Sequence, residues 1–182
     1  MNLPGEASPR TRIAQIVRVD HAGEYGAKRI YQGQLAVLGR GPKAEILRHM
    51  QAQEQHHLDT FARLIATRRV RPTALLPLWH IAGFALGAAT AALGERAAMA
   101  CTVAVEEAID AHYRAQSAEL ASAEPGQEEA DLRATIEEFR AEELEHRDIG
   151  LAHDAQSTPG YRALTALIKA GCKVAIAVSE RI

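Results

Sequence analysis

The fold is decided by two short stretches, EQHH at residues 54–57 and ELEH at residues 143–146. Each stretch holds a glutamate and a histidine three residues apart, so on a helix both side chains share one face and can bind one metal ion. Each pair also continues a stripe of apolar residues at helical spacing, which predicts that it points into a core. Because buried carboxylates are costly without a counter-charge, the two stretches predict a buried metal centre between two helices.

Two further glutamates lie on apolar helix faces outside these stretches. Glu24 shares a face with Val17, and Glu106 shares a face with Val103. Glu107 is the rival of Glu106, but its own helix face is less apolar. The four predicted helices therefore each direct at least one carboxylate toward the same core.

The predicted turns test this assignment independently. The turn at Gly39–Pro42 is midway between Glu24 and the first stretch, and the turn at Glu124–Gly126 is midway between Glu106 and the second. In an antiparallel helical hairpin, residues equidistant from the turn lie at the same height. Each hairpin therefore contributes a level set of inward ligands, and together they form one cage. The predicted metal ligands are Glu24, Glu54, His57, Glu106, Glu143 and His146.

An internal repeat relates the two hairpins, because superposing Glu24 on Glu106 also aligns Tyr31 with Tyr113. Duplicated hairpins that each supply a glutamate and a Glu-x-x-His motif are typical of di-iron and di-manganese carboxylate proteins. The sequence therefore predicts an all-α fold: a ferritin-like four-helix bundle of two helical hairpins with an apolar crossover helix and a C-terminal helix. We expect a single domain over residues 1–182. Zinc is compatible with these ligands, but redox-active ions suit oxygen chemistry.

Tyr31 and Tyr113 are the candidate catalytic residues, because they lie two helical turns beyond Glu24 and Glu106 on the same faces. Each can hydrogen-bond a ligand, carry a proton or a radical, or serve only in packing. Asp20 has two alternative roles, as an acceptor that orients a ligand histidine or as a cap at a helix start.

The composition restricts the remaining classes of function. The chain has 182 residues, a net charge of −2 and no basic tail, which argues against nucleic acid as a partner. Cys101 and Cys172 have no CxxC partner, so we expect reduced thiols. The first ten residues, MNLPGEASPR, fit neither a signal peptide nor a transit peptide.

Residues 73–93 contain no charged side chain and are long enough to span a bilayer. A single crossing, however, would leave the predicted ligands on opposite sides of the membrane. The segment is therefore expected to be a buried crossover helix, to lie in the membrane interface, or to do both. Trp79 and the nearby Arg68, Arg69 and Arg71 suit an interface.

Long stretches of the sequence resemble the demethoxyubiquinone hydroxylases of ubiquinone biosynthesis, in their bacterial form. The matching stretches are RVDHAGEYGAKRIYQGQ from Arg18, QEQHH from Gln53, RVRPTALLPLWHIAGFALGAATAALG from Arg69, ACTVAVEEAIDAHY from Ala100, EELEHRDIGLAHDA from Glu142 and the final AGCKVAIAVSERI. In that family the positions that match the six predicted ligands hold the iron.

The resemblance implies a monooxygenase that hydroxylates a polyprenylated 6-methoxy-3-methyl-1,4-benzoquinol, demethoxyubiquinol, with O2 in the penultimate step of ubiquinone biosynthesis. It implies two Fe2+ ions per chain and a two-electron reductant, for which the family suggests NADH. Because the substrate tail is too apolar to leave the bilayer cheaply, we expect a peripheral protein on the cytoplasmic face of the bacterial inner membrane. We also expect a homo-oligomer and other ubiquinone-biosynthesis proteins as partners. Two alternatives remain: a ferritin-like iron oxidase or storage protein, and a non-catalytic quinone- or lipid-binding scaffold.

Overall fold

The computed structural model describes residues 8–41, 43–122 and 126–182 of the chain. These residues form six α-helices and no β-strand, which confirms the predicted all-α class. The helices are α1 Pro9–Leu38, α2 Ala44–Thr67, α3 Leu76–Ala92, α4 Glu95–Ser122, α5 Gln127–Ala152 and α6 Tyr161–Ser179. A short 3-10 helix, Ala155–Ser157, connects α5 to α6.

Two helical hairpins, α1–α2 and α4–α5, form the four-helix bundle. Their apolar faces meet in two buried clusters, one toward each end of the bundle. One cluster includes Val17 of α1 and Phe61 of α2, and the other includes Leu47 of α2 and Met99 of α4. The predicted ligands lie at the height between the two clusters, so apolar packing above and below separates them from water.

Both predicted hairpin turns agree with the structure where it describes them. Between α1 and α2, the Gly41 amide donates to the Leu38 carbonyl at 2.8 Å as the chain reverses. Pro42, also assigned to that turn, lies outside the described residues. Between α4 and α5, Gly126 directly precedes the first residue of α5, whereas Glu124–Pro125 lies outside the described residues.

Helix α3 occupies most of the predicted charge-free segment and packs along α1 at very short range. Glycines make this approach possible because they remove side chains from the contact. A Cβ atom on Gly87 would collide with the Ile30 carbonyl, and one on Gly33 would collide with the Phe84 carbonyl. The crossover helix is therefore attached to the bundle by backbone-to-backbone packing.

Helix α6 packs against α4, and it also meets the beginning of α3, where the Trp79 indole N–H donates to the Ser179 hydroxyl at 2.9 Å. Helices α3 and α6 thus form a second layer outside α1 and α4. The large apolar residues that this layer exposes are Leu78 (52%), Ile81 (69%), Leu167 (73%) and Val174 (63%). We call these four residues the apolar outer face. Among the described helices, none combines the length and the hydropathy needed to cross a membrane.

Candidate metal centre

The six predicted ligands converge in the middle of the bundle, and each is at most 1% exposed. They form two overlapping groups in which the candidate ligand atoms all lie within 4.8 Å of one another. One group is Glu24, Glu54, His57 and Glu143, and the other is Glu54, Glu106, Glu143 and His146. Glu54 and Glu143 belong to both groups, as expected for carboxylates shared between two ions. We refer to the six residues as the cage.

Short contacts connect the two hairpins within the cage. His57 Nδ1 lies 3.3 Å from Glu24 Oε2 and 3.2 Å from Glu143 Oε1. His146 Nδ1 lies 3.3 Å from Glu54 Oε1 and 3.2 Å from Glu143 Oε2. Across the second turn, His146 Nδ1 lies 4.0 Å from Glu106 Oε1. The prediction that residues equidistant from each turn lie at one height is therefore confirmed.

Many inward-facing polar atoms of the cage have no hydrogen-bond partner within the described parts of the chain. They include both carboxylate oxygens of Glu54 and of Glu143, together with Nδ1 of His57 and of His146. Because each unpaired buried polar group costs about 1–3 kcal/mol, such a cluster requires a further partner. Four carboxylates balance the charge of two divalent cations, and oxygen and imidazole donors suit iron or manganese. The residues therefore fit a dinuclear metal centre.

The ionisation of the cage leads to the same conclusion. Burial raises the pKa of Glu24, Glu54 and Glu106, and the charge of Glu143 raises all three further. Burial would raise the pKa of Glu143 as well, but the adjacent imidazoles of His146 and His57 hold it at about 2. Without metal ions, protons must therefore supply part of the positive charge that this cluster of carboxylates needs.

Each candidate tyrosine donates a hydrogen bond to a glutamate of the other hairpin. The Tyr31 hydroxyl donates to Glu106 Oε1 at 2.7 Å, and the Tyr113 hydroxyl donates to Glu24. Burial raises the pKa of both tyrosines, so each hydroxyl keeps its proton and remains a donor. Of the roles predicted for these residues, the structure shows the hydrogen bond to a cage carboxylate.

The structure also separates Glu106 from its neighbour. Glu106 is 1% exposed, whereas the Glu107 side chain is 36% exposed and pairs with Lys169 of α6. The choice of Glu106 as the inward carboxylate is therefore confirmed.

Both roles predicted for Asp20 are wrong. Asp20 lies in the interior of α1 rather than at its start, and its Oδ1 accepts a hydrogen bond from Gln116 at 2.8 Å. The imidazole that it faces, at 3.4 Å, belongs to His112, which is not part of the cage. Asp20 therefore links α1 to α4 and orients neither cage histidine.

Sequence reasoning missed two residues that contact the outer nitrogens of the cage histidines. His57 Nε2 lies 2.8 Å from Glu142 Oε2, and His146 Nε2 lies 2.9 Å from Gln53 Oε1. Each partner directly precedes a cage glutamate in the sequence and contacts the histidine of the other helix. The available signal was a polar residue before both Glu-x-x-His motifs, but the cross-helix pairing is not visible in one sequence.

Comparison with known proteins gives independent evidence about the family of this chain. Residues 11–179 match the family model described as ubiquinone biosynthesis protein COQ7. The chain is 60% identical over 181 residues to the 3-demethoxyubiquinol 3-hydroxylase of Rhodospirillum rubrum, covering 99% of this chain and 83% of that protein.

Eukaryotic proteins are also similar. The chain is 55% identical over 173 residues to the mitochondrial NADPH-dependent 3-demethoxyubiquinone 3-hydroxylase of Homo sapiens, covering 95% of this chain and 79% of that protein. It is 44% identical over 182 residues to the mitochondrial 5-demethoxyubiquinone hydroxylase of Saccharomyces cerevisiae, covering 93% of this chain and 78% of that protein. The chain therefore belongs to the COQ7 family of ubiquinone biosynthesis proteins.

Proposed function

We propose that this protein is a di-iron monooxygenase that hydroxylates the ring of polyprenylated demethoxyubiquinol in the penultimate step of ubiquinone biosynthesis. The observation that carries the proposal is the buried cage, in which two overlapping ligand groups share Glu54 and Glu143. The names of the bacterial and eukaryotic relatives support the substrate class. The balanced reaction consumes one quinol, one O2, two electrons and two protons, and it yields the hydroxylated quinol and one water.

Bound iron would supply the redox chemistry that activates O2, and the chain's own residues prepare its site. The six cage residues would hold the two ions, and Glu54 and Glu143 belong to both ligand groups. Tyr31 and Tyr113 hold Glu106 and Glu24 from the opposite hairpins, which limits the positions that these carboxylates adopt.

Apolar packing keeps water away from the centre. The Phe139 ring stacks on the His57 ring with centroids 4.0 Å apart, and Phe139 itself is 1% exposed. Excluding water protects a reactive site from side reactions and strengthens the electrostatic interactions inside it. The cage is therefore suited to oxygen chemistry on an organic substrate.

The substrate tail accounts for the apolar outer face. A polyprenyl chain is costly to move into water, at about 0.8 kcal/mol for each CH2 group. The enzyme is therefore peripheral on the cytoplasmic face of the bacterial inner membrane, with Leu78, Ile81, Leu167 and Val174 in contact with lipid. Leu76 and Phe84 of the same charge-free segment are partly buried, and Phe84 lies beneath the Arg29 guanidinium at 4.9 Å.

The quinol ring would enter between α1 and α4, beneath the second layer. That region is filled by Ile30 of α1, Val105 of α4 and Ile168 of α6. These apolar side chains must move to admit the ring, and they would then surround it.

The reductant is NADH or NADPH, and the human relative is named for NADPH. The experiment uses the full chain loaded with Fe2+, lipid vesicles that contain demethoxyubiquinol, and labelled 18O2. We expect two irons per chain and one 18O atom in the hydroxylated product, and rates with the two nucleotides identify the preferred donor.

The same experiment separates the alternatives. Iron binding and O2 consumption without a labelled product would instead support a ferritin-like iron oxidase or storage protein. Failure to bind iron, with quinone binding retained, would support a non-catalytic scaffold. The apolar outer face already argues against a storage shell, which needs a polar exterior.

A further inference from the structure

A chain of hydrogen bonds connects the two cage histidines on the outside of the cage. Starting from α5, His146 Nε2 lies 2.9 Å from Gln53 Oε1. The Gln53 amide then donates to Glu142 Oε2 at 3.4 Å, and the same carboxylate lies 2.8 Å from His57 Nε2. This hydrogen-bond chain crosses between α2 and α5 three times and ends at one histidine on each helix.

The direction of donation along this hydrogen-bond chain follows from the chemistry of its members. A carboxylate accepts hydrogen bonds and donates none, so Gln53 directs its NH2 group at Glu142 and its carbonyl oxygen at His146. Both histidines must then donate through Nε2–H. Their Nδ1 atoms lie inside the cage, 3.2 Å from Glu143 in each case, which is the arrangement that a metal ligand requires.

The two ends of the hydrogen-bond chain nevertheless differ in the charge of the acceptor. His57 donates to a carboxylate, whereas His146 donates to a neutral amide oxygen. A hydrogen bond to a charged acceptor is roughly twice as strong as one between neutral groups. It also draws the N–H proton away from the ring, which makes the opposite nitrogen a better electron donor to a metal.

We infer that Glu142 and Gln53 are positioning residues that make the two metal positions unequal. Glu142 acts through His57 and strengthens the position formed with Glu24, while Gln53 acts through His146 at the position formed with Glu106. The first divalent ion therefore binds at the His57 position. This inference rests on the proposed two-metal function.

The test is an anaerobic titration of the metal-free full chain with Co2+, followed by visible absorption and calorimetry. The native chain should bind two ions in a tight and a weaker step. Glu142→Gln should weaken the tight step by about 10- to 100-fold and leave the weaker step within about twofold. Gln53→Leu should weaken the other step instead.

Glu145→Gln is the matched control, because it removes the same charge from an exposed position on the same helix. It should change the metal affinity of both binding steps by less than about twofold, and such a result would exclude an effect of net charge. Glu142→Asp keeps the carboxylate on a shorter side chain and should retain part of the metal affinity of the tight step. Circular dichroism of each metal-free variant checks that the helices remain.

Proton NMR of the Co2+-loaded chain identifies the positions. Two exchangeable imidazole N–H signals are expected, and Glu142→Gln should shift one of them and speed its exchange with D2O. Equal shifts for Glu142→Gln and Glu145→Gln, or two native steps of equal affinity, would overturn the inference while leaving the di-metal proposal intact. Failure of the native chain to bind two ions would overturn both.

Discussion

The cage and the apolar outer face reverse the usual distribution of polarity in a globular protein. The cage places four carboxylates at 1% exposure or less, whereas the outer face leaves leucine, isoleucine and valine side chains between 52% and 73% exposed. Each arrangement is costly for the isolated chain, the first through desolvation of charge and the second through contact of apolar surface with water. The cage residues fit metal ions as the partner that offsets the first cost, and the proposed function assigns lipid as the partner of the outer face.

The largest expected effect comes from deleting a cage carboxylate. Glu106→Ala should lower the iron content and abolish hydroxylation, because one of the two ligand groups loses an oxygen donor. Elemental analysis together with the 18O product assay measures both quantities.

Glu107→Ala is the control for that variant, because it alters a neighbouring carboxylate that instead pairs with Lys169. It should retain most of the iron and the activity. If Glu107→Ala lost more iron than Glu106→Ala, the identification of the cage would be wrong.

The attachment of α3 to the bundle should show the next largest effect. Gly87→Val places side-chain atoms against the Ile30 carbonyl, and overpacking of this kind costs about 1–3 kcal/mol of unfolding free energy. Gly171→Ala, where no neighbouring atom lies within 4 Å of the added Cβ, should be neutral or stabilising by up to about 1 kcal/mol. Urea denaturation of both variants measures the difference, and equal stabilities would contradict the close packing of α1 and α3.

Membrane docking should respond to single charges on the outer face. Ile81→Lys should reduce binding to neutral phosphatidylcholine vesicles by on the order of 10-fold, since removing about 1.4 kcal/mol of apolar transfer energy corresponds to that factor. Val37→Lys adds the same charge at a residue of α1 that is 48% exposed, and it should change binding little. Vesicle flotation compares them, and an equal loss for both would place the docking surface elsewhere.

The smallest expected effect is a dependence of stability on pH. In the metal-free chain, burial raises the pKa of three cage glutamates, so the folded state holds protons that the unfolded state releases above about pH 4.5. Neighbouring carboxylates raise the pKa of His57 to about 12 and also raise the pKa of His146, so the stability from these imidazolium ions declines as the pH rises above about 6.5. Together these shifts make the stability of the metal-free fold fall as the pH rises from 5 to 8.

Metal ions should reverse this trend, because they replace the same protons. The increase in melting temperature on adding Mn2+ should therefore grow from pH 5 to pH 8. Thermal melts with and without Mn2+ at several pH values measure it. If the increase in melting temperature stayed constant or shrank as the pH rose, metal and protons would not compete for the cage residues.

Much of the cage could be predicted because its signals are local and repeated. Glu54 and His57 share a helix face by spacing alone, and the position of the Gly39–Pro42 turn sets their height relative to Glu24. The choice of Glu106 over Glu107 followed from which helix face is more apolar. The partners of Asp20, Glu142 and Gln53 could not be predicted, because each contact joins two helices, and its geometry depends on how the helices rotate and approach.

Local sequence patterns were sufficient to predict the helices, the two hairpins, the six inward residues and the charge-free segment. Helical periodicity and turn residues act within a few positions of one another, so one chain is sufficient to read them. The face of α3 that meets α1 could be read only from the packed molecule, because it depends on glycines such as Gly87 matching the backbone of another helix. The tertiary structure alone also gave the two cage histidines different outer acceptors, because Gln53 and Glu142 reach them across the space between α2 and α5. Long-range packing, rather than local pattern, sets this asymmetry.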